Sequence, residues 1–205
     1  MGINQAPSFR RGTTLHAGQT PPTVASGNQN NSVEGMIFTF PEGDAANKTA
    51  RPSGGQVTYI AVRNSSTITL APKRLVQWES GQEGKAVDGY TEDDAQVTAG
   101  VVDDYFPAAG GIPANDIGLI AVKGRHLVTL ATEAITAGLV PVEGYLVAQT
   151  AAASTGTSAG RVVSIGYGGA TTVLANNVLN TIGRALTART SANTNSDVLC
   201  NLRLF

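Results

Sequence analysis

Apolar residues along this chain alternate with polar ones in short runs separated by glycine, proline, serine and asparagine. Met36-Ile37-Phe38-Thr39-Phe40 stops at Pro41, and residues 56–62 lie between Gly54-Gly55 and Asn64-Ser65. Thr67-Ile68-Thr69-Leu70 and Leu75-Val76-Gln77-Trp78 follow, and later come residues 145–149, 161–167, 182–186 and 198–204. Alternation over so few residues, bounded by turn formers, predicts strands. Residues 117–122 and 126–130 flank Lys123-Gly124-Arg125, and that spacing predicts a hairpin with Gly124 in its turn. Helical spacing is confined to residues 133–139 and 171–180, and Gly138 and Pro141 cut the first short. The whole reads as an all-β protein, a small β-barrel or β-sandwich with little helix.

The first 35 residues break from this pattern. They contain Pro7, Pro21 and Pro22 and the polar run Gly27-Asn28-Gln29-Asn30-Asn31-Ser32, and they keep neither a two-residue nor a helical period. With so little apolar surface to offset the entropy of ordering, residues 1–35 read as an extended, flexible N-terminal arm, and residues 36–205 as one β-rich domain. Ile3, Phe9, Leu15 and Val24 are spaced like anchors for pockets on a partner. Arg10-Arg11 adds two guanidinium groups suited to bidentate pairing with a partner's carboxylates. The candidate partner-contact residues are therefore Ile3, Phe9, Arg10, Arg11 and Leu15.

Composition sharpens the picture of the domain. Of 205 residues 41% are hydrophobic, but only 5% are aromatic and 24 are glycine, so the core is built from small side chains. A domain short of large anchors gains by burying more surface against copies of itself or a larger body. Charge is segregated: residues 1–78 carry a net +4, residues 79–104 a net −7, and residues 105–205 a net +2. The chain lacks the basic face that nucleic-acid binding needs, and no apolar stretch is long enough to span a membrane as a helix. Neither nucleic acid nor membrane is expected as a partner. The start of the chain has no secretory pattern, and the lone Cys200 can form no disulfide within the chain.

The acidic stretch, about 79–104, reads as an insert in the β-domain. Its Glu79, Glu83, Asp88, Glu92, Asp93, Asp94, Asp103 and Asp104 are hard oxygen ligands of the kind Ca²⁺ and Mg²⁺ take, yet their spacing matches no EF-hand loop. Such a cluster more commonly forms a solvated face or a patch that meets a basic partner. Adjacent aspartates repel one another in a dry site without a counter-charge, so the acidic block is expected to face water or Arg/Lys. His16 and His126 are the only histidines, and neither lies in a catalytic motif. Ser164-Ile165-Gly166-Tyr167-Gly168 lacks the leading glycine of a nucleophile elbow, and Gly166-Tyr167-Gly168-Gly169 is neither a dinucleotide fingerprint nor a P-loop. The chain is expected to be no enzyme and to need no cofactor or metal.

Four segments carry a family resemblance: Gly84-Lys85-Ala86-Val87-Asp88, residues 117–125, Ile182-Gly183-Arg184-Ala185-Leu186, and the closing run 198–204. In these the chain resembles the tailed-phage capsid decoration proteins, the cement or head-stabilising class. The resemblance implies a β-domain without catalytic residues, often a homotrimer, bound to the major capsid protein on the outside of the shell. It places the chain in the virion, at the capsid surface, after assembly in the host cytoplasm. The arm and the acidic insert have no counterpart in that family pattern. A tail or head-completion protein shares the composition and differs in symmetry. A carbohydrate-binding β-module or small hydrolase needs an aromatic-lined site, for which Trp78 and five tyrosines are a thin supply.

Overall fold

A computed structural model describes residues 10–16, 33–44, 49–50, 55–89, 98–129, 145–148, 162–164, 181–187 and 197–204. The described residues form strands and turns, with no helix among them. In chain order the strands are β1 (Leu15–His16), β2 (Ile37–Pro41), β3 (Gly43–Asp44), β4 (Thr49–Ala50), β5 (Gln56–Asn64), β6 (Leu75–Trp78) and β7 (Ala86–Gly89). They continue as β8 (Thr98–Val102), β9 (Asp116–Thr129), β10 (Tyr145–Ala148), β11 (Val162–Ser164), β12 (Thr181–Ala185) and β13 (Asp197–Arg203). The all-β expectation holds. The 133–139 and 171–180 helical segments and the glycine cluster at 166–169 lie outside the described residues.

Five strands close into a barrel. β5 pairs antiparallel with β9, β9 with β8, β8 with β6 and β6 with β7. β7 then returns to β5 in parallel, through Arg63 opposite Ala86 and Asn64 opposite Val87. Closure removes the free edges these five strands would otherwise present. β2 adds to β5, while β13, β12, β10 and β11 extend the sheet from β9.

One apolar cluster draws from all five staves and fills the interior: Ile60 and Val62, Val76 and Trp78, Val87, Ala99 and Val102, Ile120 and Val122. Leu70 and Ile112, bridged through their backbones, and Phe106 join it from the loops. A second cluster lies on the opposite faces of the same strands, where Tyr59, Ala61, Leu119 and Ala121 pack with Ile182, Val198, Cys200 and Leu202. β5 and β9 are thus buried on both sides, which explains why residues 117–122 read as a nearly continuous apolar run.

Two expectations are corrected. The hairpin at Lys123-Gly124-Arg125 is instead the middle of one 14-residue strand, β9. Its first half pairs with β5 and its second half, through Lys123 to Thr129, with β13. Gly124 has φ of +101°, and a Cβ there would stand 2.5 Å from the Gln56 carbonyl oxygen, so the glycine serves a close strand contact and a register shift instead of a turn. The acidic stretch is not an insert, because its residues supply β7 and β8, two of the five staves. The 67–70 segment also departs from expectation: only Leu70 makes a strand-type bridge, to Ile112.

Candidate functional site: a buried arginine-aspartate cluster

The chemistry of the described residues is concentrated where residues 10–16 meet the barrel. β8 ends at Val102, and the chain turns through Asp103 and Asp104 with both side chains held inward. The Asp103 amide donates to the Leu119 carbonyl at 3.1 Å, which fixes the turn against β9. His126 on β9 and Tyr59 on β5 complete the walls, and both are buried.

Arg11 enters from the N-terminal segment. Its Nε and Nη2 donate to Asp103 Oδ1 at 3.1 and 3.0 Å, and Nη2 also donates to Asp104 Oδ1 at 2.5 Å. The side chains of Arg11, Asp103 and Asp104 are 9%, 0% and 5% exposed, so this is a desolvated ion network. The guanidinium stacks 3.6 Å from the centre of the Tyr105 ring and 4.9 Å from that of Tyr59, which adds cation–π attraction in a water-poor setting. Burial acts to lower the Arg11 pKa, but the fields of Tyr59, Asp103 and Asp104 outweigh it and hold the value above the ordinary one.

The backbone completes the seat. The Gly12 amide donates to Asp103 Oδ2 at 2.7 Å, and Thr14 Oγ1 donates to Asp116 Oδ2 at 3.3 Å. Leu15 and His16 then pair with Ile117 and Asp116 as a short antiparallel strand, and Leu15 packs on the outer apolar cluster. Gly12 has φ of +71°, and a Cβ there would lie 2.5 Å from the Tyr105 carbonyl oxygen. The seat therefore demands glycine after the arginine.

His126 closes the inner side. Its Nε2 accepts the Asp104 amide at 3.2 Å, so the ring proton sits on Nδ1, 2.7 Å from the Leu127 carbonyl. Asp103, Asp104 and His126 bring one ligand atom each within 4.8 Å of one another, a grouping that a metal ion can use. Here the Arg11 guanidinium already supplies the counter-charge, and a cation would have to displace it. The phenol of Tyr59 has no hydrogen-bond partner among the described residues, and burial, reinforced by the Asp103 charge, pushes its pKa well above the usual tyrosine value.

The candidate residues read from the sequence fare unevenly. Arg11, expected to meet a partner's carboxylates, spends its guanidinium on two carboxylates of its own chain. Arg10 is exposed, and its carbonyl accepts the Thr13 hydroxyl at 2.6 Å. Leu15 is partly buried against the outer cluster, and Ile3 and Phe9 lie outside the described residues. Asp103 and Asp104 were expected to face water or a basic group, and they face Arg11. His126, Tyr59 and Tyr105 were not singled out as members of a site. A usable signal was present, since Asp103-Asp104 is flanked by apolar Val101-Val102 and aromatic Tyr105-Phe106, a setting that requires a counter-ion. A separate shallow cleft of about 200 Å³ is lined by Glu42, Gly55, Gln56, Gly124, Arg125 and Asn201. Trp78 packs in the barrel interior.

The fold and this cluster define a closed five-stranded β-barrel carrying a buried ionic joint to its N-terminal segment. No protein-family model matches the chain, and no curated protein matches it. Among solved structures, a chain in the capsid of Myoviridae phage XM1 aligns with a TM-score of 0.44 and 16% sequence identity, over 85% of this chain and 96% of that one. A likeness of that size assigns neither fold nor function.

Proposed function

We propose that this chain is a non-catalytic structural protein of a tailed-phage virion, a cement or decoration protein that binds the major capsid protein on the outer shell surface and stabilises it. One observation carries the reading. Three of the four segments on which the family resemblance rests, 117–125, 182–186 and 198–204, form β9, β12 and β13, hydrogen-bonded side by side with β13 in the middle. Segments scattered over the last 90 residues of sequence thus form one continuous stretch of sheet.

The chemistry is compatible with the role. The ionic cluster is closed off by the protein's own Arg11, and the barrel interior is filled by side chains. Cementing a shell needs many modest contacts repeated by symmetry, so that avidity replaces one deep pocket. A homotrimer would supply three such sets of contacts. Cryo-EM of particles assembled with this chain tests the proposal. Repeated density over the capsid's outer face is expected. Density only at the tail or a single vertex transfers the chain to the tail or head-completion class, and absence from the particle removes both.

A further inference from the structure

We propose that the seat for residues 10–16 is an intermolecular joint, so that in the oligomer each barrel receives the Arg11 segment of a second copy. The proposal concerns how copies of this chain connect, and it stands whether or not the particle they decorate is a phage capsid.

The seat has to be filled. Asp103 and Asp104 are adjacent and buried, and without Arg11 they leave two carboxylates facing each other with no cation. Stripping one partner from a buried ion network destabilises strongly, so a barrel with an empty seat is a poor folded state. The seat is also selective, taking an arginine, then a glycine at positive φ, then a short strand against Ile117. All of these contacts are made by residues 11–16, so the seat recognises a local motif, and any copy of the chain carries that motif.

Chain reach decides whether another copy can deliver it. Residues 17–32 separate the seated segment from Val33, which is buried in the outer cluster. Sixteen residues span roughly 50 Å when extended, whereas a domain of this size is about 40 Å across. They include Pro21-Pro22 and the polar run Gly27-Asn28-Gln29-Asn30-Asn31-Ser32, a composition with few apolar residues to bury. Exchange between copies therefore keeps every seated contact and ties the subunits together at no loss of interaction. The balance between own and exchanged segments is set by concentration, because an own segment, joined through sixteen residues, competes at an effective concentration on the order of millimolar.

His16 and Asp116 are direct cross-strand partners, at a spacing a disulfide can bridge. The full-length His16→Cys/Asp116→Cys protein is refolded at about 10 µM and about 1 mM, oxidised, and run on a denaturing gel without reductant. Cys200 is buried and its thiol is pushed up to about 12 by that burial, so it stays out of the reaction. Covalent dimers and trimers whose share rises with refolding concentration are the expected result. A single monomeric band, internally crosslinked at both concentrations, overturns the proposal. If the cysteines do not join, a mixing experiment decides: Arg11→Ala protein, with an intact seat, is co-refolded with Asp103→Asn/Asp104→Asn protein, with an intact arm. A new melting transition above that of either variant alone supports exchange, and two unchanged transitions refute it.

Discussion

Arg11 does at one position what a hydrophobic plug would do with several. It crosses from an irregular segment into the protein, neutralises two buried carboxylates and fills the gap between Tyr59 and Tyr105. Because both partners are desolvated, losing the guanidinium leaves charges that water cannot reach. Arg11→Ala is expected to cost about 3–5 kcal/mol, read as a drop in the urea midpoint. A loss below about 1 kcal/mol would mean the pair is solvated. Arg11→Lys keeps the charge but not the planar fork, and should recover only part of the loss. Tyr59 makes the opposite case, for its hydroxyl is buried without a partner among the described residues. Tyr59→Phe should therefore raise stability by about 1 kcal/mol. The pH dependence has a definite sign. With the folded-state pKa above the ordinary value of 10.0, ionisation of Tyr59 costs no stability below that pH, and stability falls as pH rises further because burial resists the phenolate. Urea titrations at increasing pH should show a smaller alkaline loss for Tyr59→Phe than for the wild type. Equal losses in the two would place the phenol in water.

At the scale of elements, the legible strands were those with large β-formers. β2, β5, β6 and β13 carry alternating or dense Ile, Val, Phe, Leu or Tyr, and they and β12, with Ile182 as its one large apolar residue, fall within a residue or two of expectation. β7 and β8 escaped notice because Ala86-Val87-Asp88-Gly89 and Thr98-Ala99-Gly100-Val101-Val102 are short, small-sided and set among acids. Their strand identity comes from neighbours across the barrel, and no local window contains that information. Gly100 shows the reason for small residues, since a Cβ there would sit 2.8 Å from the Ile120 Cδ1. β9 failed differently: Lys123-Gly124-Arg125 has the chemistry of a turn, yet pairing with β5 and β13 pulls it straight. The ionic site was half legible, as Arg10-Arg11 and Asp103-Asp104 each stood out while their pairing, 92 residues apart, did not. Gly124→Ala tests the strand reading. Forced into positive φ against the Gln56 carbonyl, it should lose about 1–3 kcal/mol in a urea melt, whereas a turn glycine with open space would lose less.

For the molecule as a whole, the barrel is sealed on one side by the seated residues 10–16 and on another by the sheet that extends from β9. Of the arm read from the sequence, residues 10–16 and Val33 are built into the fold. Removing residues 1–16 takes away Arg11, Gly12 and the Leu15–His16 strand together. The truncated chain should melt at least 10 °C lower than the full chain by circular dichroism, and an unchanged melting temperature would make the segment an accessory.

The double burial of β9 couples the two apolar clusters through a single backbone. Neither can come apart while the other stays ordered, because Leu119 and Ala121 belong to one and Ile120 and Val122 to the other. A force applied to the outer strands is thus transmitted into the barrel wall along one peptide chain, without crossing a slip plane between two packed layers. Mechanically the barrel and the strands packed on its outer face are one body, and amide protons along residues 117–122 should exchange with solvent only when both clusters open together.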